Sequence, residues 1–297
     1  MARIIPSIVV LSLASACAYA DAYSDSIAQW RAEREAKLKS DTGWLTVAGL
    51  FWLEEGENRA GADASAKIAL PEGSAPRLLG TFTLRGSETT FDAANGVLAS
   101  VNGTLLKGPR AMKWDAADES PDLLTHGDLT FFVIKRGERF AIRMRDKNSA
   151  MRRDFTGLHW YPVDPSYRVE AKWMPYKEPK RVGVPNIVNI VEQHTALGYA
   201  EFRLGGKLWK LEPVVEGAGE KRELFFIFKD ATAGGETYPA GRFLYSAMPK
   251  DGKVLLDFNK AYTPPCAFTP FATCPLPTKE NRLAARIAAG ELNYGHH

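Results

Sequence analysis

The chain has 297 residues, with 38 Lys and Arg against 35 Asp and Glu, and 45% of the residues are hydrophobic. So balanced a charge argues against nucleic acid or an anionic membrane surface as a partner, and the composition is that of an ordinary soluble protein. The length suffices for one large domain or two modest ones, each with its own core.

Residues 1–20 have the pattern of a signal peptide. A basic residue precedes an apolar run over 4–16, and the small-x-small motif at 18–20 would leave Asp21 as the mature N-terminus. The run is shorter than the roughly 20 residues of a membrane span. The sequence therefore predicts an exported protein, periplasmic or extracellular and not integral to the membrane. A lipoprotein anchored at Cys17 is the alternative.

A helix is predicted over the segment 21–42. Residues 22–40 are rich in Ala, Arg, Glu, Lys and Gln, which favour helix, and serines near the start can cap it. Ile27 and Trp30 lie three residues apart and share one face, as expected for a helix that packs on the body of the protein.

Short β-like runs then follow one another, and 43–160 is interpreted as a first β-rich lobe with a sandwich-like fold. Examples are the runs 80–84, 129–134 and 140–144, the last two joined by a hairpin turn around Gly137. Regular short strands without helical spacers are typical of sandwiches and barrels.

The rest of the chain, 161–297, is interpreted as a second β-rich lobe. Four prolines within 156–180 predict a crossing between the lobes, and 198–211 has the pattern of a hairpin. A final helix is predicted from Thr278 to Gly290. The fold class is therefore mainly β: two packed lobes, sandwich- or barrel-like, with an N-terminal and a C-terminal helix.

The segment 257–283 departs furthest from ordinary strands and helices. It holds two of the three cysteines and five of the eighteen prolines, and proline excludes a central strand or a helix interior. Cys266 and Cys274 are eight residues apart, and in an exported protein they are most simply a structural disulfide, worth about 2–3 kcal/mol. A redox or metal-binding pair is the alternative, although the spacing is not CxxC.

A set of motifs extends over almost the whole mature chain: Gly43-Trp44-Leu45, Gly49-Leu50-Phe51-Trp52-Leu53, Gly56-x-Asn58, Tyr238-x-Ala240-Gly241-Arg242-Phe243-Leu244-Tyr245, and DFNKAYTPPCAFTPFATCPLP with Asn281-Arg282-Leu283. Together they resemble the bacterial domain-of-unknown-function family 1684. The resemblance implies no activity, substrate or catalytic residue. Thr263 stands where that family's Tyr-Asn-Pro-Pro has Asn, so any role of the amide falls to a hydroxyl or is lost.

The segment 56–71, GENRAGADASAKIALP, is similar in rhythm to the start of a forkhead-associated sandwich. That family holds phosphothreonine with an Arg and a Ser. Gly61-Ala62 stands where Gly-Arg is expected, so the resemblance implies a sandwich and does not support phosphopeptide binding.

Polar residues cluster where the last predicted strand opens into the proline–cysteine segment, namely Asp257, Asn259, Lys260 and Tyr262. A strand end that opens into a rigid loop is a place where side chains converge on a ligand. Arg242 is the natural ion-pair partner of Asp257. The pair is either structural, or the arginine binds a carboxylate or phosphate with Asp257 or Tyr262 as acid–base partner.

A second polar cluster comprises Arg143, Arg145, Asp146, Ser149, Arg152 and Arg153. Strand alternation places Arg143 and Arg145 on one face. A groove along that face would bind an anion, whereas a solvated face would need no ligand.

The sequence predicts no cofactor and no metal. Three of the five histidines are scattered and the other two end the chain, and no HExxH, P-loop, GxSxG or Rossmann fingerprint is present. Three functions stay open. The first is an exported protein that binds a small ligand, an anion being one candidate, in a pocket beside residues 257–274. The others are a hydrolase of envelope or exogenous material and a structural envelope protein without ligand.

Overall fold

The structure, a computed structural model, describes residues 8–116 and 119–295, with side chains from residue 21 onward. Within this part no helix is long and apolar enough to cross a membrane. The helices are α1 (Ile8–Lys39) and α2 (Ala150–Arg153), with 3₁₀ turns at Trp44–Thr46, Pro165–Tyr167, Gly219–Lys221, Phe258–Lys260 and Pro265–Ala267. The strands are β1 (Val47–Trp52), β2 (Gly56–Gly61), β3 (Ile68–Ala69), β4 (Gly80–Arg85), β5 (Glu88–Ala93), β6 (Ser100–Val101), β7 (Thr104–Leu105), β8 (Arg110–Met112), β9 (Leu124–His126), β10 (Leu129–Arg136), β11 (Arg139–Asp146), β12 (Arg168–Pro185), β13 (Val191–Leu204), β14 (Lys207–Leu211), β15 (Val214–Glu216), β16 (Glu223–Phe228), β17 (Arg242–Ala247) and β18 (Lys253–Asp257).

The strands up to β11 form two sheets that bury one core between them. The six-stranded sheet has the order β1-β11-β10-β9-β6-β7 and the five-stranded sheet the order β3-β2-β4-β5-β8. Phe82 of the second sheet packs on Phe131 of the first, with 6.4 Å between ring centroids. The predicted hairpin around Gly137 is confirmed as the β10–β11 pair. Its turn needs the positive φ of Gly137, +57°.

The later strands form two further sheets, with the orders β14-β13-β12-β18 and β15-β16-β17. Phe258 lies at the centre of their core, with ring centroids 5.5 Å from Phe202 and 5.6 Å from Phe228. The predicted hairpin over 198–211 is confirmed as the β13–β14 pair. The expectation of a mainly β protein is therefore confirmed, with several sheets, none of them closed.

The predicted N-terminal helix is confirmed as α1, which ends at Lys39. Ile27 is fully buried, the Tyr23 hydroxyl donates to Asp257 Oδ1 at 2.8 Å, and Trp30 meets Trp160 edge-on at 5.6 Å. The helix is therefore docked on the body of the protein through Tyr23, Ile27 and Trp30. The predicted signal peptide, 1–20, lies outside the residues whose side chains are described.

The predicted crossing over 156–180 is only partly correct, because β12 already covers residues 168–185. Pro175 and Pro179 stand at an irregularity in the β12–β13 ladder, where Pro175 pairs with Gly198 and Lys180 with Ala196. A bulge accepts residues that cannot donate to the ladder. The prolines thus bend a long strand instead of ending it.

The predicted C-terminal helix is wrong, because residues 279–291 run as an irregular, extended segment. Leu283, Ala285, Ile287 and Ala289 are buried while the residues between them are more exposed. This alternation has the period of a strand, and packing overrides the helix propensity of the alanines. The backbone hydrogen-bonds to other segments instead, as in Leu283 N–H to Lys229 O at 2.7 Å.

Arg242 holds this C-terminal segment in place. Its Nη2 lies 3.0 Å from Asp230 Oδ1, and both side chains are 1% exposed. The same guanidinium donates to the carbonyls of Ile287 and Ala289, and the Asp230 carboxylate accepts from the Ile287 N–H at 2.8 Å. The expected pairing of Arg242 with Asp257 is therefore wrong, and Arg242 is structural.

We expect Arg242→Ala to lower the free energy of unfolding by about 3–5 kcal/mol, because it leaves the buried Asp230 carboxylate without its cation. Arg286→Ala is the matched control, since Arg286 lies on the same segment in an exposed ion pair with Glu236, and it should change stability little. Urea unfolding of both variants measures the difference. Equal effects would contradict the role given to Arg242.

Candidate functional site

A cavity of about 470 Å³ opens where α1, β11, β17 and the proline–cysteine segment meet. This size is within the range of pockets for small ligands. The residues that line it include Arg34 and Lys37 from α1, Arg136 and Arg143 from the β10–β11 hairpin, Glu192 and Glu216 from the second half, the aromatic residues Trp44, Phe225, Tyr245 and Tyr262, and Thr273 with Cys274.

Three rings, Phe225, Tyr245 and Tyr262, form a stacked aromatic wall on one side of the cavity. Phe225 and Tyr245 are 4.6 Å apart between centroids with an interplanar angle of 16°. Tyr245 and Tyr262 are 6.4 Å apart with an angle of 13°. A group of three stacked rings at the cavity suits contact with an aromatic or apolar ligand body.

Two arginines and a threonine form a second feature, the arginine corner (Arg136, Arg143 and Thr273). The Thr273 hydroxyl oxygen accepts from Arg136 Nε at 3.0 Å and from Arg143 Nη2 at 3.1 Å. Thr273 belongs to the proline–cysteine segment, whereas the arginines belong to the β10–β11 hairpin. The corner therefore joins the two halves of the chain.

Arg143 is a buried cation, only 4% exposed. Among the described residues no carboxylate lies within 4.0 Å of it, and its Nε is buried without a hydrogen-bond partner. Its guanidinium lies over the Trp44 ring at 5.1 Å. Burial and the neighbouring charge of Arg136 lower the pKa of Arg143 to about 10. A buried charge without a carboxylate within 4.0 Å is costly. The Asp115 carboxylate, which is paired with Arg136, offsets part of this cost by raising the pKa of Arg143.

Arg34 is, in contrast, already paired. Its Nε lies 2.5 Å from Glu291 Oε2, its Nη2 donates to the Thr263 carbonyl at 2.9 Å, and it stacks on Tyr262 at 4.3 Å. Thr263, where the family resemblance leads one to expect Asn, donates its hydroxyl to Leu292 O at 3.3 Å. This group therefore ties α1 to the loop and the C-terminal segment.

The cavity also has an acidic side. The Tyr245 hydroxyl donates to Glu216 Oε2 at 2.5 Å. Burial raises the pKa of the Glu216 carboxyl, and burial together with the neighbouring Tyr262 and Glu216 raises the pKa of Tyr245. Glu192 lines the cavity as well. A ligand with anionic groups at both ends would meet repulsion here.

The residues predicted after the last strand are divided by the structure. Tyr262 lines the cavity, and burial raises the pKa of its hydroxyl. Asp257 lines a neighbouring groove and accepts from Tyr23. Asn259 is fully buried, and its Nδ2 donates to the Tyr23 hydroxyl at 3.0 Å and to Asp164 O at 2.8 Å. Lys260 lines the two grooves beside the cavity.

The second predicted cluster is divided in the same way. Arg143 reaches the cavity, whereas Arg145 lies over the Phe132 ring at 4.7 Å. Asp146 accepts from the Asn148 N–H at 2.7 Å in a turn, and the exposed Arg153 donates to Asn148 O. Arg145, Asp146 and Arg153 are not among the residues that line the cavity.

Sequence reasoning missed Arg34, Lys37, Arg136, Glu216 and Thr273. They come from elements far apart in the chain, and no local pattern marks them. The one signal was the rigidity of the proline–cysteine segment, which contributes Thr273.

Cys266 and Cys274 lie side by side as free thiols. The Cys266 N–H donates to Cys274 Sγ at 3.1 Å, and the Cys274 N–H donates to Cys266 Sγ at 3.4 Å. The hydrogen bond with Cys274 lowers the pKa of the Cys266 thiol, whereas burial raises the pKa of the Cys274 thiol. The predicted disulfide between them stays a prediction.

A family model matches part of this chain. The match covers residues 153–292, and the family is described as "Protein of unknown function (DUF1684)". The expected match over the whole mature chain is found for this region only. It does not reach 56–71, where the forkhead-associated resemblance stays a prediction. No curated protein matches the chain.

Among solved structures, the chain is similar to the solution NMR structure of an uncharacterized protein from Haloarcula marismortui. The two are 33% identical over 48% of this chain and 78% of that protein, with a TM-score of 0.40.

We expect Arg143→Met to raise the free energy of unfolding by about 1 kcal/mol, because an apolar side chain replaces a buried charge that has no carboxylate partner. Urea unfolding of the wild type and the variant checks this. A loss of more than about 2 kcal/mol would show instead that Arg143 stabilises the empty protein and needs no ligand.

The same pair of proteins tests the lowered pKa of Arg143. The folded-state pKa, about 10, is below the ordinary arginine value, so the charge opposes folding at neutral pH. This penalty is fully present below pH about 10 and is relieved as the pH rises above it, since the folded state loses the proton first. The stability advantage of Arg143→Met should therefore be constant from pH 7 to about 9 and smaller at about pH 11. A constant advantage over the whole range would contradict the lowered pKa.

Proposed function

We propose that this is an exported protein that binds a small ligand with one anionic group in the cavity beside residues 257–274. The observation that carries the proposal is the Arg143 guanidinium, buried at the cavity without a carboxylate partner among the described residues. An arginine is the side chain that best binds a carboxylate or phosphate, through two parallel N–H donors.

The donors of Arg143 are largely unused. Within the described residues only Nη2 donates, to Thr273, while Nε is buried without a partner. The neighbouring Arg136 is neutralised by Asp115, 2.8 Å from its Nη2. A monoanion at the corner would therefore compensate Arg143 and restore its pKa toward the ordinary value.

The rest of the cavity indicates the kind of ligand body. The aromatic wall offers aromatic contacts, and the acidic side, Glu192 and Glu216, disfavours a second anionic group. The ligand class that fits both features is a small compound with a single anionic group and a planar or apolar body, such as an aromatic carboxylate or an aryl phosphate.

Export rests on the signal-peptide pattern of residues 1–20. The described contacts that dock α1 begin at Tyr23, just after the predicted cleavage site. Cleavage before Asp21 would therefore keep every one of these contacts. A lipoprotein processed at Cys17 is the alternative form.

The hydrolase alternative draws its support from Glu216, a carboxyl whose pKa is raised by burial inside the cavity and which is therefore a candidate general acid. The earlier candidates, Asp257 and Tyr262, line different depressions of the surface. The binding proposal has the stronger basis, because it also accounts for the unpaired Arg143.

We expect Arg143→Met to weaken the binding of phenyl phosphate and benzoate at least tenfold, which corresponds to about 1.4 kcal/mol, because the variant loses the charge that meets the anion. Arg145→Met is the matched control, since Arg145 lies two residues further along the same strand face and does not line the cavity. It should change the affinity less than about threefold. Isothermal titration calorimetry measures both, with inorganic phosphate testing the contribution of the ring.

Equal losses in both variants would contradict the proposed site. If inorganic phosphate binds as tightly as phenyl phosphate, the arginine corner remains part of the proposed site and the aromatic wall does not.

We expect the natively exported protein to begin at Asp21. Intact mass and N-terminal sequencing of protein recovered from the expressing cells check this. A lipid-modified protein that begins at Cys17 would show that the anchored form is the correct one. An uncleaved chain would contradict export through this signal peptide.

A further inference from the structure

We propose that Cys266 and Cys274 form a thiol–disulfide exchange site, in which Cys266 attacks a disulfide of low molecular weight and Cys274 resolves the product. This inference does not rest on the anion-binding proposal, although Cys274 lines the same cavity and Arg143 lies close to both thiols. It assigns a chemical reactivity to the two thiols of the proline–cysteine segment, which have no role in the anion-binding proposal.

The fold of the segment brings the two sulfurs close together and directs one backbone N–H group at each of them. Each sulfur accepts a hydrogen bond from the backbone N–H of the other cysteine, at 3.1 and 3.4 Å. An N–H group that donates to a sulfur stabilises its thiolate, which is the form that attacks a disulfide. Prolines at 264, 265, 270 and 275 restrict the backbone around the pair.

The two thiols are not equivalent. Cys266 is partly exposed, whereas Cys274 is 6% exposed. The hydrogen bond with Cys274 favours the Cys266 thiolate by lowering its pKa, and burial disfavours the Cys274 thiolate. The charge of Arg143 also favours both thiolates. Cys266 is therefore the attacking group and Cys274 the resolving group.

The reaction balances with a disulfide RSSR as the oxidant. The Cys266 thiolate attacks one sulfur of RSSR, forms a mixed disulfide and releases RS⁻, which takes up the proton that Cys266 lost. Cys274 then loses its proton and attacks the Cys266 sulfur, which releases the second RS⁻ as RSH. The protein gives up two electrons and gains the Cys266–Cys274 bond, and RSSR is reduced to two RSH.

The test uses oxidised glutathione as the disulfide and full-length protein in which Cys17→Ser removes the third cysteine. After acid quenching, intact mass follows the protein with both cysteines and the variants Cys274→Ser and Cys266→Ser. We expect the protein with both cysteines to lose the mass of two hydrogens without a lasting adduct. Cys274→Ser should keep one glutathione, and Cys266→Ser should react at least about tenfold more slowly.

A second measurement avoids any change at the two cysteines. The reduced protein is treated briefly with iodoacetamide under native conditions, and peptide mapping shows which cysteine is alkylated first. Alkylation of Cys266 before Cys274 is expected. Equal rates, alkylation of Cys274 first, or failure of oxidised glutathione to join the two cysteines would each overturn the proposal.

Discussion

The proposed binding site depends on one buried charge, the guanidinium of Arg143. Arg143 lies on a strand of the first half with its guanidinium almost wholly removed from water. The described residues supply a threonine hydroxyl and an indole ring but no carboxylate within 4.0 Å. Burying a charge without a partner costs free energy. Either a bound anion compensates the charge, or the rest of the fold is stable enough to tolerate the cost. The choice between these two explanations decides whether the cavity is a binding site or a packing defect.

Two ion pairs fix the segments that surround the cavity. The Asp230–Arg242 pair anchors the C-terminal segment beneath the loop, and the Arg34–Glu291 pair fastens α1 to that same segment. The proline–cysteine segment then carries Tyr262 to the aromatic wall and Thr273 to the arginine corner. Arg242 and Arg34 thus each have a carboxylate partner, whereas Arg143 has none within 4.0 Å among the described residues. This contrast is the reason for assigning the unpaired Arg143 to a ligand and the paired arginines to the fold.

Local patterns predicted the hairpins, the N-terminal helix and the mainly β class, because turn glycines and strand alternation act over a few residues. The C-terminal helix was mispredicted because an alanine-rich stretch favours helix, while its alternating burial at 283–289 is imposed by packing against distant strands. The site shows the same division. Tyr262 and Arg143 stood out in the sequence, but the partner of Arg242 proved to be Asp230. The meeting of Arg34, Arg136 and Thr273 depends on long-range topology that no local pattern contains.

The most direct test of the central claim is the NMR signal of the Arg143 Nε–H group, assigned by comparison with Arg143→Met and followed during titration with phenyl phosphate. Our account predicts a saturable shift of this signal, with the Arg145 signal nearly unchanged, because the anion would meet Arg143 and lie away from Arg145. An Arg143 signal that does not respond while the ligand binds elsewhere would contradict the account. Arg143 would then be a charge that the fold tolerates without a ligand.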